Sequence, residues 1–171
     1  MLAYDRLMEK HMGITYADLS AQNFKLRDKY AKRKKLLQAG AIELCKQYID
    51  SLGLESTSWT NAQGYDVAYV TKGILNREDC FEKKSLGGVT LDDHYSLNFA
   101  IRTVVDTEAE YAVVVEVSLS YQDDCYLATV HGYQNGKSII IPELGEDTSF
   151  NEVAGAIKNR VMMDLTDSRL D

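Results

Sequence analysis

The chain predicts a two-layer α+β fold: N-terminal helices, an antiparallel meander sheet of four to six strands, and one C-terminal helix. Three observations point there. From Ser96 to Pro142 apolar and polar residues alternate through four successive runs. That is the period of strands with one buried face. Short, turn-forming links separate the runs, which favours antiparallel neighbours. On both flanks apolar residues recur at helical spacing instead. A single domain over 1–171 is expected, with 1–53 helical, 64–142 sheet and 149–166 the closing helix.

The first helix, Ala3 to His11, is short and closes at Gly13. Thr15-Tyr-Ala-Asp18 then caps a second one, with an acid in the first turn favouring the helix dipole. Its stripe is Leu19, Leu26, Tyr30, Leu37, Ala41, Leu44, Tyr48 and Leu52, and Gly53 ends it at C′. Unbroken from Tyr16 to Leu52, it would span about 55 Å at 1.5 Å per residue. A domain of this size is only about 40 Å across. Either the helix bends near Ala39-Gly40-Ala41, or its first half meets another subunit. Ile42, Cys45 and Ile49 widen the second half of the stripe, so that half reads as core.

Within the meander, Leu97, Phe99, Ile101, Thr103 and Val105 form the apolar face of the first strand. Tyr111, Val113, Val115, Val117, Leu119 and Tyr121 form that of the second. The third run is Cys125–Tyr133 and the fourth Lys137–Pro142. Asn135-Gly136 is a hairpin signal, because a type I′ turn needs positive φ at both central residues. Gln122-Asp123-Asp124 is a second tight link. Gly64–Thr71 reads as a fifth strand and Val89–Leu91 as a short sixth. Ser56–Gln63 reads as a polar loop and Lys72–Gly88 as an irregular stretch. Ser149-Phe-Asn-Glu152 is a capping box, followed by Phe150, Val153, Ala154, Ile157, Val161 and Leu165 at helical spacing.

Composition excludes several classes. No apolar run approaches the roughly 20 residues of a membrane helix, and Met1–Met12 lacks a signal-peptide core. A cytoplasmic protein with no membrane partner is expected. Cys45, Cys80 and Cys125 have neither disulfide-framework nor metal spacing, and read as buried free thiols. His131 lies six residues after Cys125, about 20 Å along a strand and too far for proton transfer. No GxSxG, P-loop, GxGxxG or HExxH motif is present. No catalytic set, metal site or cofactor is therefore expected, and the reading leans away from an enzyme.

Charge is unevenly laid out. Residues 1–50 hold 10 Lys+Arg and 6 Asp+Glu; residues 51–171 hold 9 and 20. Lys25, Lys29 and Lys32 line one helix face beside Leu19, Leu26 and Tyr30. A solvated face is the default reading of such a run. The functional readings are a phosphate backbone, or pairing with the acidic half, within the chain or across a dimer. Meander topology also brings Asp92, Asp93 and His94 to the sheet end that carries Asp123 and Asp124. A solvated acidic rim or a basic-partner surface is the default reading of it; a hard cation is the alternative, although no calcium-loop spacing is present. Six tyrosines (Tyr65, Tyr69, Tyr111, Tyr121, Tyr126 and Tyr133) fall on the expected strands, where aromatics are favoured anyway; the sharper reading is an exposed aromatic binding face.

Small acidic chaperones of bacterial secretion systems are similar in size, charge and α/β composition, with no residue motif shared. The expected function is a non-enzymatic protein-interaction, adaptor or chaperone-like domain that forms a homo-oligomer through the N-terminal helix. The alternatives are ligand or cation binding at the acidic sheet end, and nucleic-acid binding through the basic helix.

Overall fold

The computed structural model describes residues 13–133 and 136–166. The expected helix Ala3–His11, Asn135 of the Asn135-Gly136 turn and the tail Asp167–Asp171 lie outside the described residues. The chain divides into two compact units, residues 1–33 and 34–171.

Helix α1, Tyr16–Ser51, starts where the cap was expected. Thr15 Oγ1 accepts the Asp18 N–H at 3.2 Å, and Asp18 Oδ2 accepts the Thr15 N–H at 2.9 Å and its hydroxyl at 2.7 Å. Each residue thus satisfies the other's orphan donor. The Thr15 hydroxyl, then its N–H, hold the Asp18 carboxyl below its usual pKa. Helical assignment continues without interruption through Gly40, the position weighed for a bend. Gly53, at φ +64°, ends the helix as expected, its N–H reaching the Asp50 carbonyl.

The strands are β1 Ser58–Thr60, β2 Asp66–Ala68, β3 Val70–Leu75, β4 Phe81–Lys83, β5 Leu97–Asp106, β6 Tyr111–Gln122, β7 Cys125–Val130 and β8 Lys137–Pro142. The last six form an antiparallel sheet in the order β4-β3-β5-β6-β7-β8. The meander β5 to β8 is the one the alternation predicts. Helix α2, Asn151–Asp164, follows it. The second half of α1 and helix α2 cover one face of this sheet, giving the two-layer α+β architecture. Leu37, Leu44 and Tyr48 of α1 and Val153, Ile157 and Val161 of α2 join Phe99, Ile101, Val115, Val117, Leu119 and Val130 in one core. The other face carries a polar cross-strand row, Asn98, Ser118, Thr129 and Ser138.

Several expectations are corrected. The fifth strand is not one strand: Asp66–Ala68 pairs with Ser58–Thr60 in a separate two-stranded sheet, and only Val70 onward enters the main sheet. Tyr69 is the joint, its N–H bonded to Thr57 and its carbonyl to Val104. The polar loop Ser56–Gln63 and the irregular stretch Lys72–Gly88 therefore contain β1, most of β3, and β4. Val89–Leu91 is not a strand; the Val89 carbonyl accepts Gln38 Nε2 instead of a ladder partner. The third run ends as a strand at Val130, three residues short of Tyr133.

Val105, expected on the buried face, is exposed because the ladder shifts register between Val104 and Asp106; Val104, still in register with Ala112, is buried. A bulge changes which residues face the core. Tyr111, Ile42 and Leu165 are likewise exposed, each at or beyond the margin of the packed faces. The capping box at Ser149 does not form. Phe150 is the N-cap, and its N–H donates to Gln47 Oε1 of α1 at 2.7 Å. Gln47 Nε2 donates to the Thr148 carbonyl, so a side chain 103 positions away supplies the cap.

Candidate functional site

The residues singled out on the helix lie in the Tyr16–Ser51 element and differ in exposure. Leu19 and Leu26 are 58% and 54% exposed, and Tyr30 is half-buried. Tyr16 and Phe24, which sequence reasoning did not single out, are 85% and 74% exposed. Phe24 sits off the stripe, which is why periodicity missed it. Lys25, Lys29 and Lys32 are all exposed. Lys32 pairs with Asp28 at 2.8 Å across one helical turn. That carboxylate's hydrogen bond, then its charge, raise the Lys32 pKa. The same stripe positions farther along, Leu37, Ala41, Leu44 and Tyr48, are fully buried.

The acidic residues occupy two turns. Gln122 pairs with Cys125, leaving Asp123 and Asp124 as a two-residue loop at φ +50° and +56°. Positive φ at both positions is the backbone requirement of a type I′ hairpin. Asp92 is the centre of the other turn. Its Oδ1 accepts the N–H groups of His94 at 2.9 Å and Ser96 at 2.8 Å, and Oδ2 accepts Asn98 Nδ2 at 2.9 Å. Burial pushes this carboxyl up, but Ser96, Asn98 and His94 together bring it below its usual value. Asp92 is therefore occupied as a loop-former, while Asp93 and His94 are exposed. Among the described residues no group of three or more His, Cys, Asp or Glu is placed to hold a metal ion. The cation alternative thus finds no ligand set there.

Glu143 draws the β6–β7 turn toward the segment after β8. Its N–H donates to the Asp124 carbonyl at 3.0 Å, and its Oε2 accepts the Tyr121 hydroxyl at 3.1 Å. Burial, then Glu143, push the Tyr121 phenol up to about 12. Beside it lies a cleft of about 530 Å³ lined by Glu43, Lys46, Tyr126, Glu143, Glu146 and Phe150, among others. The Tyr126 ring stands 5.2 Å from that of Tyr121 and 5.4 Å from that of Phe150. Sequence reasoning missed this cleft because α1, β7 and the segment before α2 each supply part of it.

The six tyrosines do not share one exposed face: Tyr65 and Tyr111 are exposed, Tyr126 is buried, and Tyr69, Tyr121 and Tyr133 are half-buried against the core. Of the thiols only Cys45 is buried; Cys80 is exposed and Cys125 half-buried. One contact of nucleophile–base type occurs on the open sheet face, Ser118 Oγ to His131 Nε2 at 2.6 Å. Among the described residues no carboxylate hydrogen-bonds that imidazole. The chain matches no protein-family model, no curated protein and no solved structure.

Proposed function

We propose that this protein is a non-enzymatic interaction domain, adaptor- or chaperone-like in kind, that self-associates through residues 16–33 of its N-terminal helix. The exposure of Tyr16, Leu19, Phe24 and Leu26 on one short helical segment carries the reading. Exposed apolar groups gathered this densely mark contact surfaces more often than solvent-facing ones. Covering a leucine side chain is worth about 1.5–3 kcal/mol, so two of them give an interface a substantial centre.

Charge supports a second copy as the partner. Lys25, Lys29 and Lys32 sit in the half of the chain with excess positive charge, and residues 51–171 hold 20 acids against 9 bases. The cleft with Glu43, Glu143 and Glu146 offers a counter-surface for such a segment. Among the described residues no helix is long and apolar enough to cross a membrane. Free thiols at Cys45, Cys80 and Cys125 suit a reducing, cytoplasmic setting.

Light scattering on three proteins tests the reading. The wild type should be a dimer at micromolar concentration, Leu19→Asp with Leu26→Asp a monomer, and Lys25→Glu with Lys29→Glu and Lys32→Glu a weaker dimer. A monomeric wild type overturns self-association. A monomer retained on nucleic acid at low salt, but not at high salt, would point to phosphate backbone as the partner.

A further inference from the structure

We propose that a second cleft, between the end of α1, strand β5 and helix α2, binds a small carboxylate with an apolar body. This goes beyond the interaction reading and does not rest on it. The cleft has a volume of about 350 Å³, at the lower end of the range of small-molecule sites. Leu52, Val104, Val161 and Met162 are among the residues of its apolar wall. Val104 and Val105 both line it although they are consecutive strand residues. Consecutive residues of a regular strand face opposite sides. The register shift between Val104 and Asp106 lies at this point of the lining, and bulges recur beside binding sites.

The polar part of the lining selects the ligand's polar end. Lys158 is the sole charged residue in it, in a chain that carries 26 acids and 19 bases. Its ammonium gives one hydrogen to the Ser51 carbonyl at 3.3 Å and has two more to offer. Tyr48, Tyr69 and Thr103 are the other polar side chains in it. Tyr48 and Thr103 are both more than nine-tenths buried. Their hydroxyls share one hydrogen bond of 2.8 Å. Two hydroxyls carry two protons and that bond uses one, so the second proton has no acceptor among the described residues. The lining therefore presents spare donors, one of them cationic, and no carboxylate. An anionic acceptor on an apolar body fits it; an amine does not.

The test is an amide NMR titration of the ¹⁵N-labelled full chain with octanoate, octanol and octylamine in separate arms, each below its aggregation concentration. Octanoate should shift the resonances of Leu52, Val105 and Val161 saturably. Octanol should bind the same residues about fivefold more weakly, the worth of a partly exposed ion pair, and octylamine should leave them unmoved. Lys158→Met, a change at a half-exposed position, should bring octanoate down to octanol's affinity. Val105→Phe, filling the cleft from its exposed rim, should abolish both. No saturable shift with octanoate, equal shifts with octylamine, or an unchanged octanoate affinity in Lys158→Met would each overturn the proposal.

Discussion

Gly40 and Tyr126 meet so closely that a Cβ placed on Gly40 would lie 2.7 Å from Cε1 of the tyrosine ring. The helix approaches the sheet there, and Leu119 stands 3.3 Å from the same point. Tyr126 cannot swing aside, because it is buried between the rings of Tyr121 and Phe150. Gly40→Ala gains about 1 kcal/mol of helix propensity but overpacks this contact at a cost of about 1–3 kcal/mol. The expected net is a loss of roughly 1 kcal/mol in urea unfolding. A stabilised variant would show that the glycine is merely tolerated there.

Asp123 and Asp124 hold positive φ in a two-residue turn that glycine and asparagine fill at less strain. Asp123→Asn with Asp124→Gly should therefore stabilise the protein by about 1 kcal/mol. Part of that gain is relief of repulsion near Glu143, so the gain should shrink in high salt. Thermal unfolding at two salt concentrations checks both statements. A destabilised double variant would count against the I′ geometry.

Reactivity should rank the thiols. Burial pushes the Cys45 thiol up to about 12, against a smaller opposing effect of Lys72, so it stays protonated at neutral pH. Cys80 is exposed and Cys125 half-buried. A thiol reagent at pH 8 should label Cys80 first and Cys125 more slowly, with Cys45 reached only on unfolding. Rapid labelling of Cys45 in the native protein would contradict the packing of α1.

Asp92 makes stability pH-dependent at the acid end. Its folded pKa lies below its unfolded value, so it favours the folded state above an unfolded pKa of about 3.9. That contribution is lost as pH falls below about 3.9 and through the folded value. Asp92→Ala removes the acceptor of two backbone N–H groups and should cost about 1–2 kcal/mol at pH 7. The difference from wild type should narrow in this acid window. Denaturant unfolding at pH 7 and pH 3 measures it, and a difference that widens in acid would contradict the assignment.

Much of the fold was legible because its signals are local. Alternation located β5 through β8, and the Thr15–Asp18 cap and Gly53 bounded α1 within a residue or two. What escaped depends on partners distant in sequence. Strands β1 and β4 have three residues each, too few for a period to register, and exist through backbone pairing with β2 and β3. The Ser149 capping box was pre-empted by Gln47. The phase error at Val105 came from a bulge, which alternation cannot announce. A bend at Gly40 was one of two readings of the helix's length, the other being an overhang; Gly40 is a packing point against Tyr126 inside an unbroken helix. The two clefts were illegible for the same reason, since each gathers side chains from several elements.

Sedimentation equilibrium of the wild-type chain tests self-association through Tyr16, Leu19, Phe24 and Leu26 most directly. The chain mass is 19.2 kDa. Association predicts twice that mass at micromolar concentration, reverting to the single-chain value when Leu19 and Leu26 are both aspartate. A wild type that sediments at 19.2 kDa across the whole concentration range would contradict it.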